Sequence, residues 1–374
     1  MGAITLRPGR LSGVVTPPLS KSHLHRLLIA NFLAGDRSSL EKSEEDCEDI
    51  LATKRCLKAL SKPEYDCVLD CGESASTLRF LEPIAAALGK RAHFIGSERL
   101  LSRPRLEYRE LKSGLHELPG DVSSQFVSAL LFALPLLDGD SEIKFSSPLQ
   151  SQGYVDLTRQ VLTKAGIKLE GFRVPGNQRY QTQALAVERD WSGAAFWYGA
   201  NALGSEITIE GMNLTSLQPD RAIVELVCDL PDEIEVSGYP DLFPILTVVA
   251  AGKARKTIFT GVSRLRFKES DRVKAMAENL RRMGVAVETA DDSFSVVGTA
   301  GRFVGGSFNA GGDHRVAMAL AIASTRGKAD FEIIGAECVR KSYPHFFETF
   351  KAGVGPGPTH LKSLPYPDLF LRLF

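Results

Sequence analysis

One pattern recurs six times along this chain and limits its fold more than any single motif does. Each copy has a polar or hydroxyl-bearing helix start, an apolar helix, a turn at glycine, and then a strand. The six helix starts lie at residues 20–26, 74–79, 123–125, 190–192, 239–241 and 313–315. Such internal repetition predicts copies of one supersecondary unit, stacked so that they share a core.

A second type of helix, richer in charge, lies between these apolar helices. Examples are residues 45–60, 155–164 and 270–283. Two of these helices lead into similar sequences, and each of those is followed by turn residues and a β-rich run, at 180–187 and 293–297. The unit therefore predicts the order strand–helix–strand–helix–strand–strand, which belongs to the α/β class.

The apolar helices are hydrophobic almost all round, as in residues 127–137 and 316–323. Helices of this kind are buried, so the sheets should pack around them and their polar N-termini should open onto solvent or a ligand cleft. Several helix N-termini facing one cleft would bind anions. The formal net charge of zero gives no sign of a nucleic-acid or anionic-membrane partner.

Chain length and cysteine content further limit the class of protein. A chain of 374 residues predicts about two to three domains. Its six cysteines form no C-x-x-C pair and have no nearby histidine, so we expect reduced thiols and no metal site. No apolar run reaches the roughly 18 residues of a membrane span. The sequence thus predicts a cytoplasmic protein.

The segment 266–272, Arg-Phe-Lys-Glu-Ser-Asp-Arg, is the most charged of the polar helix starts. It lies between a predicted strand at 256–262 and the predicted helix 270–283, whose first turn Ser270 or Asp271 can cap. Lys268 and Arg272 stand where a helix N-terminus attracts anions. The alternative is an ordinary solvated helix start.

Several short motifs stand at these helix starts, and their order and spacing carry more information than any one of them. They are Leu19-Ser20-Lys21-Ser22 with Arg26, residues 71–79, Arg103-Pro104, residues 122–126, Ser151 with Tyr154, Tyr239-Pro240-Asp241, residues 268–272, Asp313-His314-Arg315 and residues 341–344. Together they resemble the EPSP synthase family of shikimate-pathway enolpyruvyl transferases, over nearly all of residues 1–350.

The resemblance implies two globular domains that close over the substrates. Each would be an inside-out α/β barrel, or alpha/beta prism, built from three βαβαββ units. Residues 1–19 with 190–350 would form the first domain and 20–189 the second, with chain crossings near Ser20 and at 188–190. The second unit is short, since 103–120 leaves little room for a helix and its strands. Residues 351–374 are expected to be a flexible tail.

The resemblance also implies the reaction and the ligands. The family joins phosphoenolpyruvate to the 5-hydroxyl of shikimate 3-phosphate and releases phosphate, without a cofactor; we expect a monomer. Residues expected to bind phosphoenolpyruvate are Lys21, Ala75, Arg103, Gln125, Arg272, Arg315 and Lys341. Residues expected to bind shikimate 3-phosphate are Lys21, Ser22, Arg26, Ser123, Ser124, Gln125, Ser151, Asp241 and Lys268. Arginine suits this task because its planar fork holds carboxylate and phosphate in two places at once.

Three of the matched residues are expected to take part in the chemistry. Asp241 would accept from or orient the attacking hydroxyl, and Glu269 would exchange the proton on the methylene carbon. Lys21 would offset charge that develops on oxygen. The division of proton transfer between Glu269 and Lys21 stays open at this point.

Departures from the family pattern leave two alternative functions open. Glu73 stands where the family often has asparagine, Ala75 where it usually has glycine, and Gln152 where lysine is common. The shortened second unit leaves a non-catalytic binding protein as one alternative. Another is the sister transferase that acts on a UDP-sugar, which relies on a cysteine ahead of the Arg-Pro pair. Residues 96–103 contain no cysteine, which argues against it.

Overall fold

The computed structural model describes residues 2–353 and is a mixed helix–sheet protein. Its strands are β1 Ala3–Leu6, β2 Ser12–Val15, β3 Asp66–Asp70, β4 Arg91–Ile95, β5 Gly114–Leu118, β6 Ser141–Phe145, β7 Arg173–Val174, β8 Glu206–Ile209, β9 Glu233–Glu235, β10 Lys256–Thr260, β11 Ala286–Thr289, β12 Ser293–Val297, β13 Gly306–Asn309 and β14 Phe331–Ile334. Its helices are α1 Lys21–Leu33, α2 Glu48–Leu60, α3 Ala75–Ala87, α4 Glu98–Leu101, α5 Ser124–Ala133, α6 Gln152–Lys164, α7 Trp191–Ala202, α8 Ile223–Cys228, α9 Phe243–Ala251, α10 Arg272–Arg282, α11 His314–Ser324 and α12 Phe346–Ala352.

The chain packs around two separate hydrophobic cores. The first core takes residues from the N-terminal strands β1 and β2 and from 191–350, with α7, α9 and α11 packed against one another at its centre. The second core takes residues from 24–180, and its closest helix pair is α3 with α5. Every residue of α9 and α11 is buried, as expected for helices that are apolar on all faces.

The chain passes between the two cores twice, and the two crossings lie side by side. Leu19 pairs with Arg189 in an antiparallel bridge. The Ser20 N–H donates to the Glu188 carbonyl at 2.7 Å, and the Asp190 N–H donates to the Pro18 carbonyl at 2.8 Å. Backbone hydrogen bonds therefore join the outgoing and returning segments.

One unit shows the full predicted order of elements. It runs β9, α9, β10, α10, β11, β12, and its four strands form one sheet in the order β11-β12-β10-β9. Strand β10 is parallel to β9 and antiparallel to β12. Phe259 lies opposite both Ile234 and Phe294 in this register and is fully buried. The sheet therefore places its apolar face against α9.

Two predicted strands are wrong. Residues 180–187 are extended but form no strand, because the Asn31 side-chain amide bonds to the backbone N–H and carbonyl of Gln183 at 3.0 and 2.9 Å. After Gly35 the chain enters a short 3-10 turn, Ser38–Leu40, and then α2, with no strand between. Between β4 and β5 there is one helix, the four-residue α4.

Most helix ends fall within three residues of the prediction. Helix α10 begins at Arg272 instead of 270, since Asp271 caps it by accepting from the Lys274 N–H at 2.9 Å. Helix α2 begins at Glu48 instead of 45. Residues 351 and 352 belong to α12, which corrects the predicted start of the tail, and from 354 onward that prediction lies outside the described residues.

Within 2–353, no helix has the length and hydropathy needed to cross a membrane.

Candidate active site

A polar cleft between the two cores holds most of the predicted site residues. Predicted residues that line it are Lys21, Ser22, Arg26, Ala75, Arg103, Ser123, Ser124, Gln125, Ser151, Asp241, Lys268, Glu269 and Arg272. Segments as far apart in sequence as α1 and α10 therefore meet in one cavity.

Five helices begin at this cleft, because the first residue of each lines it. These first residues are Lys21, Ala75, Ser124, Arg272 and His314. Each helix has a side-chain cap directly before it: Ser20, Ser74, Ser123, Asp271 and Asp313. Capping satisfies part of the first turn and leaves other N–H groups facing the cavity, so the helix dipoles favour an anion there.

Arg272 is the most enclosed cation of the cleft. Its side chain is 1% exposed, and its three nitrogens bond to three carboxylates: Nε to Asp313 at 2.8 Å, Nη1 to Asp241 at 2.7 Å and Nη2 to Glu269 at 3.0 Å. Burial alone would lower the pKa of Arg272, but these carboxylates raise it well above its usual value. The guanidinium is thus permanently charged and fixed in orientation.

Glu269 lies among three cations. Besides Arg272, the Arg103 guanidinium lies 3.4 Å from its Oε1 atom and the Lys341 amine 3.8 Å from the same atom. Burial would raise the pKa of Glu269, but Arg103, Lys341 and Arg272 hold it well below the usual range. Glu269 is therefore a carboxylate when no ligand is bound.

Two predicted residues, Arg315 and Lys341, do not line this cavity themselves. Arg315 is 2% exposed and bonds through Nη2 to Asp241 at 3.2 Å. Burial would raise the pKa of Asp241, but Arg315, Arg272 and Lys268 hold it well below its usual value. Lys341 lines an adjoining pocket together with Arg103 and Glu269, and its amine donates to the Glu73 carbonyl at 2.9 Å.

The two lysines of the cleft differ in charge. The Lys21 amine lies 2.8 Å from the Asp49 carboxylate. Burial lowers the pKa of Lys21, but Asp49 more than compensates and the pKa ends above its ordinary value. Lys268 has no ion pair within 4 Å among the described residues, and burial with nearby Arg264 lowers its pKa to about 7, against the opposing pull of Asp241.

Hydroxyl and amide groups form the opposite wall. Gln125 accepts from Arg79 at 2.8 Å and donates to Ser76 at 2.8 Å, while Arg79 also donates to Ser123 at 3.2 Å. Arg26 is held by the Thr158 hydroxyl at 2.7 Å, with further bonds to backbone carbonyls. These contacts orient the hydroxyls and amides of this wall before a ligand arrives.

Ser151 has a left-handed backbone, with φ of 54°, an unusual conformation for a residue other than glycine. Its hydroxyl donates to the Ser237 carbonyl, and the Arg264 guanidinium donates to both groups. Strained residues of this kind cluster at functional sites. Arg264 comes from the first core and Ser151 from the second, so this contact also joins the two sides of the cleft.

Eight lining residues were not identified as site residues from the sequence: Asp49, Ser76, Arg79, Val122, Tyr154, Pro240, Arg264 and His314. Arg79 and His314 belong to the motifs at 71–79 and 313–315, so a signal was present for them. Asp49 lies in the first turn of the charged helix α2, and Arg264 precedes the motif at 268–272. Neither residue belongs to a motif that would identify it as part of the site.

Known proteins resemble this chain over most of its length. The family described as EPSP synthase (3-phosphoshikimate 1-carboxyvinyltransferase) matches residues 105–235 and 228–350. The 3-phosphoshikimate 1-carboxyvinyltransferase of Clostridium kluyveri is 37% identical, over 94% of this chain and 97% of its own. That of Clostridium perfringens is 36% identical, over 94% and 98%.

A solved structure supports the same assignment at the level of fold. EPSP synthase from Acinetobacter baumannii aligns with a TM-score of 0.71 and 21% identity, over 94% of this chain and 98% of its own. This likeness confirms the predicted fold class. The alignment with the Clostridium kluyveri relative spans 420 positions, more than the 374 residues of this chain, so the chain lacks segments that this relative has.

Proposed function

Because this chain belongs to the EPSP synthase family, we propose that it transfers the enolpyruvyl group of phosphoenolpyruvate to the 5-hydroxyl of shikimate 3-phosphate and releases phosphate. The step belongs to chorismate and aromatic amino acid synthesis. One observation carries the proposal: a single cleft gathers arginines, lysines, hydroxyls and three ionised carboxylates from both cores. Such a set suits two substrates that each bear phosphate and carboxylate groups.

Phosphoenolpyruvate is assigned to the side of the cleft with Arg103, Arg272 and Lys341, supported from behind by Arg315. Without ligand, Glu269 and Asp241 neutralise these cations in part. The phosphate and carboxylate of the substrate would take over some of these contacts. Ala75, at the first turn of α3, and Gln125 would bound the same subsite.

Shikimate 3-phosphate is assigned to the wall that carries the hydroxyls. Its phosphate would accept from Ser123, Ser124 and Ser151, with further contacts from Ser22, Arg26, Gln125, Lys21 and Lys268. The lowered pKa of Lys268 supports this assignment, because a bound phosphate would restore the charge that burial disfavours. Asp241 would accept from the 5-hydroxyl of the shikimate ring, which is the group that reacts.

The reaction needs one proton added to the methylene carbon and later removed from it. Asp241 is ionised and can accept from the attacking hydroxyl as its oxygen bonds to the neighbouring carbon of phosphoenolpyruvate. Glu269 is also ionised without ligand, so it must gain a proton before it can donate one. Ligand anions that pair with Arg103, Arg272 and Lys341 would weaken their hold on Glu269 and raise its pKa.

The second half of the reaction reverses the proton transfer. Glu269, again a carboxylate, would remove a proton from the new methyl group as the C–O bond to phosphate breaks and the double bond forms. The proton that Asp241 accepted would pass to the departing phosphate or to solvent. Lys21, kept charged by Asp49, would offset negative charge on the departing phosphate or the bridging oxygen. In the alternative mechanism, Lys21 exchanges the carbon proton. The rate of the Glu269→Gln variant distinguishes the two mechanisms.

We also propose that the two hydrophobic cores are two domains, residues 1–19 with 190–350 and residues 20–189, which move about the paired crossings. The separate composition of the cores and the adjacent crossings support this division. The enzyme would act as a monomer in the cytoplasm. The six free cysteines suit a reducing compartment.

The direct test is phosphate release measured with both substrates, with each alone, and with neither. We expect phosphate to be released only when shikimate 3-phosphate and phosphoenolpyruvate are both present. The amount of phosphate should equal the amount of enolpyruvyl ether formed. A protein that binds both compounds and releases no phosphate would refute the proposed activity. A matched control is Lys274→Ala, which alters an exposed cation on α10 and should leave the rate unchanged.

A further inference from the structure

Arg99 is an exposed residue that joins the two sides of the cleft through backbone contacts. It lies on α4, whose Leu100 belongs to the second core. Its guanidinium donates to three carbonyls of the first-core segment 266–269: to Lys268 at 2.9 Å, to Glu269 at 3.3 Å and to Arg266 at 3.5 Å. One side chain thus contacts a whole turn of the opposite side.

The Arg266 carbonyl lies in the last part of a short helical turn, and the Lys268 and Glu269 carbonyls follow the end of that turn. The 3-10 turn Ser263–Phe267 stops directly before Lys268 and Glu269. The last carbonyls of a helical turn have no partner within it and carry a partial negative charge. A guanidinium with five donors in a rigid fork can satisfy several of them at once, which a lysine cannot do with the same geometry.

Arg103, four residues after Arg99 and just past the end of α4, extends the same contact into the cavity. Its Nη1 atom lies 3.4 Å from the Glu269 carboxylate. The short stretch 99–103 therefore contacts Glu269 twice, through its backbone carbonyl and through its side chain. These contacts exist only while the two cores are together.

We propose that Arg99 is a positioning residue that holds the cleft closed and fixes Lys268 and Glu269 in place for the substrates. The inference rests on the proposed function and deepens it. Because the contact exists in the closed arrangement and is broken on opening, its free energy biases the equilibrium toward closure. Loss of that bias lowers the fraction of protein competent to bind, and apparent affinity falls by the same factor.

The test uses Arg99→Ala and Arg99→Lys, with Arg281→Ala as the matched control. Arg281 is also exposed and also donates through Nε and Nη2 to a backbone carbonyl, that of Val287, but both residues lie on one core. For Arg99→Ala we expect the KM for shikimate 3-phosphate to rise about ten-fold and kcat to change less than about three-fold. Arg99→Lys should recover part of the loss.

Small-angle scattering gives an independent readout of closure. At a shikimate 3-phosphate concentration that saturates the wild-type protein, Arg99→Ala should keep a larger radius of gyration than the wild type. Its thermal midpoint should be unchanged, because the side chain is exposed and outside both cores.

Two results would overturn the inference. One is a wild-type KM and radius of gyration in Arg99→Ala. The other is an equal loss in Arg281→Ala, which would mean that the effect does not depend on contact across the cleft. If the wild type binds shikimate 3-phosphate but releases no phosphate, the proposed function fails. Binding affinity and scattering then still decide the role of Arg99.

Discussion

Replacing Glu269 with glutamine should separate catalysis from binding in this cleft. The amide keeps the size of the side chain and one oxygen acceptor, but it cannot gain and lose a proton. A lost general acid–base group typically costs about 10²- to 10⁴-fold in rate. We therefore expect kcat to fall by at least about 10²-fold, since the methylene carbon must be protonated and later deprotonated.

The same change should not weaken anion binding, because Glu269 competes with the substrate for cations. Its carboxylate lies 3.0 Å from Arg272, 3.4 Å from Arg103 and 3.8 Å from Lys341. A unit charge about 5 Å from a bound anion, at an effective dielectric constant of about 20, repels it by about 3 kcal/mol at most. Removing that charge should leave phosphoenolpyruvate affinity equal or up to about a hundred-fold tighter.

Two measurements check this prediction: steady-state phosphate release for kcat, and calorimetry for equilibrium binding of phosphoenolpyruvate in the presence of shikimate 3-phosphate. Glu278→Gln is the control, since it removes an exposed carboxylate from the neighbouring helix α10. A near-normal kcat would remove Glu269 from the mechanism and leave the proton transfer to Lys21. Weaker binding of phosphoenolpyruvate would refute the electrostatic argument.

Three further outcomes are expected. Ala75 is 6% exposed and lines the cavity where the resembling family usually has glycine; in that family glyphosate occupies the phosphoenolpyruvate subsite, so we expect the Ala75 methyl group to hinder glyphosate and make this protein resistant. Ala75→Gly should tighten glyphosate inhibition by roughly ten- to two-hundred-fold, the range of about 1–3 kcal/mol for relieved overpacking, and an unchanged inhibition constant at matched phosphoenolpyruvate saturation would exclude Ala75 as a cause of resistance. The pKa of Lys268 is about 7, so its positive charge is present below that pH and lost above it, and the KM for shikimate 3-phosphate should rise as pH passes above about 7. Lys268→Arg, charged throughout, should flatten that profile, and a flat wild-type profile would contradict the assignment. Shikimate 3-phosphate alone should draw the cores together, and scattering that shows no change in radius of gyration between ligand-free and bound protein would count against ligand-driven closure.

Features that depend on neighbouring residues could be predicted from the sequence. Helix starts at Ser20, Ser74 and Asp313 were recognisable because a cap acts within three residues of its own position. The complete unit from β9 to β12 was predicted in order because its apolar and polar periods are regular. The location of Arg103, Arg272 and Glu269 in one cleft followed from the family resemblance, not from spacing.

Features that depend on partners distant in sequence could not be predicted. Residues 180–187 have a β-like composition, but the Asn31 side chain takes hydrogen bonds that a neighbouring strand would have made. Asp49 is a cleft residue because α2 packs beside α1 and brings its carboxylate to Lys21. Arg264 reaches Ser151 only after the two cores meet.

The paired crossings near Ser20 and Glu188 also have a consequence for the order of folding during synthesis. Strand β1 pairs with β14, and Ala3 lies opposite Ile334, so β1 waits for a partner strand that is made much later. Residues 20–189 lie between two segments that are hydrogen-bonded to each other, and they contain every residue of the second core. We expect this middle part to acquire its structure first on the ribosome, while β1 and β2 stay unpaired until their partners emerge.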